Sequence, residues 1–241
     1  MEDAGPLPSL KTWLQPTSNP TQTESIGTAL GSYLAQIHNA THHNASLKTS
    51  FASNTTAKNV SSAVYYASLP AAAAKHGHTD AFLTAAAKAA EAEVQSADEV
   101  WTLGDFWTGN VLVSAPEGAS EPKLTVLDLE LAKPGTAAFD VGQMGAEMVC
   151  LARFRSEEAG GLLLEAFSRA YRRVREGEVD VAGVAVRVGA HLVTMMPRAW
   201  EGEAGQEGVR KGVDEGVELI RMGWERDERV LEKSAVGLLV R

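Results

Sequence analysis

Three polar side chains carry the chemistry this sequence has to offer: Asp105, Asn110 and Asp128. The first two lie in a turn with Gly104 and Gly109, between two apolar runs, in the string LGDFWTGNVLV. Asp128 ends the next apolar run, in LTVLDLELAKPGTAAFD. A carboxylate that orients an attacking hydroxyl, with oxygen ligands that hold a divalent cation against phosphates, is what phosphoryl transfer needs, because positioning and charge stabilisation supply most of its catalysis. An Asp and an Asn so spaced recur by chance, and the words around them carry the discrimination.

The elements that must position these residues are short strands. Residues 100–103, 111–113 and 124–127 are brief apolar runs with β-branched members, separated by glycine, proline and acids, and they predict a small β-hairpin region. Loops held on such a scaffold are where functional side chains concentrate. Helices flank it. Ile26, Leu30, Leu34 and Ile37 recur at helical spacing and predict a helix over 24–38, followed by a long polar loop over 39–59. An Ala-rich stretch over 60–96, broken at Pro70 and Gly77, predicts a second long helix through Phe82, Leu83, Ala86, Ala90 and Val94. The helical period returns in 139–154, 157–175, 180–195 and 207–226, with Gly177 and Pro197 as stops. The string EGEAGQEG at 201–208 predicts a solvated loop.

Composition narrows the function classes. A chain of 241 residues with 44% hydrophobic content can bury one sizeable core, so residues 1–241 are read as one domain. A net charge of −9, from 31 acidic against 22 basic residues, argues against nucleic acid or an anionic membrane as partner. It does not exclude a nucleotide whose charge is met locally by a cation. Cys150 is the only cysteine, so no intrachain disulfide can form, and a cytoplasmic setting with a buried, inert thiol is expected. The first 20 residues hold two early acids and four prolines, unlike a secretory signal, and no apolar run reaches membrane-spanning length. The sequons at Asn39, Asn44, Asn54 and Asn59 read as part of a polar loop.

GDFWTGNVLV resembles the catalytic loop shared by aminoglycoside phosphotransferase, choline kinase and fructosamine kinase relatives, and LDLELAKPGTAAFDVGQ resembles the metal-binding segment that follows it. The resemblance, to a fungal-type small-molecule kinase-like protein, implies an α+β, mostly α-helical fold: the C-terminal lobe of the protein-kinase-like fold. It implies Asp105 as the catalytic aspartate, Asn110 and Asp128 as metal ligands and Glu130 as support for a second ion. The cofactor would be Mg²⁺ with ATP, and the partners a nucleotide and a small-molecule hydroxyl acceptor. Asp140, in FDVG, reads as a structural N-cap outside the catalysis. LGSYLAQIHN resembles the long helix before the loop; His38 and His42 on it read as a surface pair, too few for zinc. Phe106 is expected to pack, and Trp107 to line the substrate mouth. One departure stands out: where the family has a histidine two positions before the aspartate, this chain has Leu103.

The same resemblance divides the chain into a hinge-like segment over 1–15, a helical part over 24–96, catalytic and metal loops over 97–131 and C-terminal helices over 139–241. Glu2, Asp3 and Ala4 would lie near the adenine. No N-terminal lobe with a phosphate-gripping lysine is recognisable before Asp105, so Met1 is expected to be an internal methionine of a longer protein. Leu103 and that missing lobe sustain an alternative, a catalytically silent kinase-like binding or regulatory module.

Overall fold

In the computed structural model, residues 6–44, 46, 54–115, 121–226, 231 and 234–240 are described. Helices come first, as the periodicity predicts, and they run further than it predicts. α1 (Leu10–Trp13) is one turn capped by Ser9. α2 (Pro20–His43) starts where Asn19 Oδ1 accepts from the amides of Thr21 and Gln22, at 2.9 and 3.2 Å, with Pro20 in the first turn. It continues past residue 38 into the segment read as a polar loop.

The end of that segment is helical too. Asn54 caps α3 (Thr55–Ser61), whose chain runs on through a π-helical turn (Ser62–Ala67) into α4 (Leu69–Ala74). Pro70 falls in the first turn of α4, where its missing N–H has no helical partner to lose. α5 (Ala81–Ser96) buries Leu83, Ala86, Ala90 and Val94 as expected. The Ala-rich stretch is thus broken as its Pro70 and Gly77 predict, and the long helix runs through the Phe82–Val94 pattern.

Four short strands follow: β1 (Val100–Thr102), β2 (Val111–Ser114), β3 (Lys123–Val126) and β4 (Lys133–Gly135). β2 and β3 form an antiparallel hairpin, and β1 pairs antiparallel with β4 in a second ribbon. β4 is Lys-Pro-Gly, which carries no strand signal. It is held by pairing with β1, and a two-stranded ribbon consists of edges, where proline is tolerated.

The rest is helical: α6 (Ala137–Phe154), α7 (Glu157–Val174), α8 (Val181–Thr194), α9 (Met196–Ala199), α10 (Glu201–Glu225) and α11 (Ala235–Val240). The Glu/Gly-rich string at 201–208 forms the first turns of α10 and not a loop. Glu201 and Glu203 sit at its positive N-terminal end, and the chain bends at Gly205, whose φ is +62°. α6 is buried along nearly its whole length, so it is the axis of the lobe, packed by α7 and α8. α2 lies against α7 so closely that a Cβ on Gly31 would run into the Phe167 carbonyl. One cluster of buried side chains extends from Leu10 to Leu239 and includes Cys150, whose thiol burial pushes well up. Among the described residues no helix is long and apolar enough to cross a membrane.

Candidate active site

The β2–β3 register brings the two motifs together. Val111 pairs with Val126, and the Leu127 amide donates to the Asn110 carbonyl at 2.9 Å, so Asn110 and Asp128 stand at the same end of the hairpin. Asn110 closes a 3₁₀ turn (Thr108–Asn110) and turns its amide nitrogen back on the loop. Nδ2 donates to the Asp105 carbonyl at 3.1 Å and to Asp105 Oδ2 at 2.9 Å. That leaves Asn110 Oδ1 without a donor among the described residues.

Asp128 is exposed and adopts a left-handed backbone, φ 56° and ψ 59°, a strained conformation that only the surrounding pairing sustains. Its carboxylate makes no hydrogen bond or ion pair among the described residues. Its charge nonetheless reaches Asp105. Burial pushes the Asp105 carboxyl above its ordinary range and Asp128 adds to this, while hydrogen bonds from Asn110 and Tyr65 and the charge of His191 pull it back.

Glu130 is exposed in the next turn (Leu129–Leu131), and no hydrogen bond or ion pair joins its carboxylate to the other three residues. Among the described residues only its backbone is tied to a side chain, by Asn54 Nδ2 at 3.1 Å. Glu2, Asp3 and Ala4 lie outside the described residues.

Among the described residues no group of three or more His, Cys, Asp or Glu is arranged to hold a metal ion. The free oxygens of Asn110 and Asp128 are a different kind of donor set, an amide carbonyl and a carboxylate. Mg²⁺ is commonly held by one or two protein oxygens when phosphates and water complete its shell. These residues fit that ion.

The loop itself is fastened from below by one face of α6. Asp140, Gln143 and Glu147 recur at the spacing that stacks side chains on one side of a helix. Asp140 Oδ2 accepts from the Leu103 amide at 2.7 Å and Oδ1 from the Gly104 amide at 3.0 Å. Gln143 Oε1 accepts from the Phe106 amide at 3.0 Å. Glu147 accepts from Thr108 Oγ1 at 2.6 Å, and also from His191 Nε2 at 2.9 Å and Trp200 Nε1 at 3.1 Å.

Three sequence readings change here. Asp140 is not an N-cap: Thr136 occupies that position, and Asp140 lies within the first turn with its carboxylate reaching across to the loop. His38 is not on the surface. It is fully buried, with Nε2 3.2 Å from Asp140 Oδ2 and Nδ1 2.7 Å from the Tyr171 hydroxyl, while the side chain of His42 lies outside the described set. Leu103 does not leave the loop unsupported, because Asp140 holds the backbone amide of that very residue.

Phe106 is buried as expected, and Trp107 is half-buried with its ring laid over Gly109.

Sequence reasoning missed Gln143 and Glu147 on α6, and two further residues at the loop. Lys133, from β4, is buried beneath the loop with Nζ 4.1 Å from the centroid of the Phe139 ring and 3.5 Å from the Leu131 carbonyl. Burial lowers its amine to about 8, against the charges of Asp140 and Asp105. Gly104, at φ +85°, makes room for it: a Cβ there would lie 3.0 Å from Nζ and collide with the Leu131 carbonyl. Tyr65, from the π-helical turn, donates to Asp105 Oδ1 at 3.4 Å. Nothing local marks either residue; the string AKPG hinted only that Lys133 sits among apolar and turn residues.

A mostly helical body with two small antiparallel ribbons, their loops meeting over one buried helix, is the C-terminal lobe of a kinase-like fold. Residues 6–181 match the phosphotransferase enzyme family, and the chain belongs to it. It is similar to the 4-hydroxytryptamine kinase of Psilocybe cyanescens, with 27% identity over 221 residues, covering 89% of this chain and 61% of that protein. It is likewise similar to the 4-hydroxytryptamine kinase of Psilocybe cubensis, with 28% identity over 202 residues, covering 80% of this chain and 55% of that protein. The chain therefore spans somewhat more than half the length of these relatives.

Proposed function

We propose that this lobe serves an ATP-dependent, Mg²⁺-requiring phosphotransferase that acts on a hydroxyl of a small molecule in the cytoplasm. The observation that carries the reading is the Asp105–Asn110 clasp. One amide donates both its protons to Asp105 and, among the described residues, keeps its carbonyl free at the end of the hairpin where Asp128 also stands without a partner. Asp105, partly buried, is the acceptor for the hydroxyl proton as the acceptor oxygen bonds to the terminal phosphorus of the nucleotide and the bond to the bridging oxygen breaks. Asn110 and Asp128 would hold the cation, whose positive charge offsets the charge of the phosphates when it is bound. Glu130 would support a second ion. Glu2, Asp3 and Ala4 would stand near the adenine.

The names of the two relatives give 4-hydroxytryptamine as an acceptor, so hydroxylated aromatic amines join simple alcohols, amino sugars and ketosamines as candidate acceptors here. The test is a transfer assay on the 241-residue chain with MgATP and that panel. Asp105→Asn is expected to lower the rate by about 100-fold or more. An unchanged rate overturns the assignment. Calorimetry with MgATP separates the alternative of a catalytically silent binding or regulatory module: Mg²⁺-dependent binding that Asp128→Ala abolishes counts against it.

A further inference from the structure

Tyr65 stands in an unusual place. It belongs to the π-helical turn Ser62–Ala67, and turns of that kind are rare and collect at functional sites. Its ring is fixed on two sides, stacked on His191 with centroids 6.2 Å apart and met edge-on by Phe139 at 5.8 Å. It is 7% exposed, so its hydroxyl must find partners within the protein.

The direction of each hydrogen bond at that hydroxyl follows from its neighbours. The Phe106 amide can only donate, so the Gln143 oxygen must face it, at 3.0 Å. The Gln143 nitrogen is then turned to the Tyr65 hydroxyl oxygen and donates to it. A carboxamide nitrogen accepts nothing, so the single proton of Tyr65 is left for Asp105 Oδ1, 3.4 Å away. Asp105 Oδ2 is held from the other side by Asn110. The chain of donors therefore has one polarity, beginning on the buried helix α6 and ending on the carboxylate.

We propose that Tyr65 is a positioning residue that aims the Asp105 carboxylate, with Gln143 fixing the direction in which its hydroxyl donates. This rests on the phosphotransfer reading for its catalytic meaning, but the hydrogen-bond relay can be tested without turnover. The long 3.4 Å separation gives Oδ1 a restraint that an incoming hydroxyl can share, whereas Oδ2 is clasped by Asn110.

The experiment is side-chain NMR on the labelled 241-residue chain, following the Asp105 carboxyl carbon and the Asn110 amide group. Tyr65→Phe removes the donor and is expected to shift both signals. Gln143→Glu keeps an acceptor for the Phe106 amide but offers Tyr65 a second acceptor, so its proton turns away from Asp105 and the same signals move. Tyr66→Phe, which removes a buried neighbouring hydroxyl from a ring that lies 5.9 Å from the Arg187 guanidinium, is expected to leave them in place. Asp105 and Asn110 signals that stay fixed in Tyr65→Phe, or that move as much in Tyr66→Phe, overturn the proposal.

With an accepted substrate, Tyr65→Phe should lower kcat by about tenfold, the worth of one hydrogen bond, and leave KM for MgATP within about twofold. A fall in both variants alike would reduce Tyr65 to a packing residue. The spectra decide the relay whether or not the wild-type chain transfers phosphate, so failure of the relay and failure of the phosphotransfer reading are told apart.

Discussion

Lys133 shows what one buried charge does beneath the Asp105–Asn110 loop. Its amine is held at about 8, whereas in the unfolded chain it returns to 10.5, so between those values the unfolded state binds more protons. Stability from this group therefore rises with pH across that window, and the cost of burying the ammonium is fully present below it. From about pH 7.5 to about pH 9.5 the wild type should gain about 2 kcal/mol in urea unfolding, a gain that Lys133→Met loses. Staying below the range where the buried tyrosines titrate keeps the comparison clean, since burial shifts Tyr65, Tyr66 and Tyr171 upward and they oppose the trend only above it. Equal pH slopes in the two proteins would show that the amine is not buried in solution. Asp105, Asn110 and Asp128 were legible in the sequence because their neighbours form recognisable words. Lys133 and Tyr65 were not, because each meets the site through pairing or a helical turn that no neighbouring residue announces.

α6 is the element that turns a loop into a site. Its sequence reads only as a helical period over 139–154, yet the three polar residues Asp140, Gln143 and Glu147 face inward and bind successive parts of the loop. Burial by itself raises the Glu147 carboxyl, but the hydrogen bonds and charge of His191, with the bonds from Thr108 and Trp200, outweigh it, and the group titrates below its ordinary range. A carboxylate depressed in the fold contributes stability that is present above its unfolded pKa and lost as pH falls through the folded one. Glu147→Gln should therefore lower stability by about 3 kcal/mol at neutral pH, and lose less than the wild type on going from about pH 5 to about pH 3. Urea midpoints at the two pH values measure this, and parallel losses would refute the ionised state. Helix boundaries were read less well than helix existence. The turns at 39–43, 55–59 and 201–206 are polar enough to look like loops, yet they are helical: Asn54 caps the second, and at the third Glu201 and Glu203 lie in the first turn, where their charge favours the helix dipole.

At the scale of the whole molecule one continuous core links the first helix to the last, so the lobe should unfold as a unit. Far-ultraviolet circular dichroism and the fluorescence of tryptophan, which includes the fully buried Trp200, are expected to report coincident transitions. Transitions separated beyond experimental error would divide the lobe into subunits of folding. By itself the sequence determined the mostly helical lobe and the strand-borne loops and marked three polar residues as site candidates, since these depend on periodicity and on motif words within a short span. What only the tertiary structure decided is how they are held: the register that sets Asn110 beside Asp128, the α6 face under the loop, and the relay through Tyr65. Those contacts join residues far apart in the chain, and their partners are chosen by packing and hydrogen-bond satisfaction in a buried interior, which no local pattern encodes.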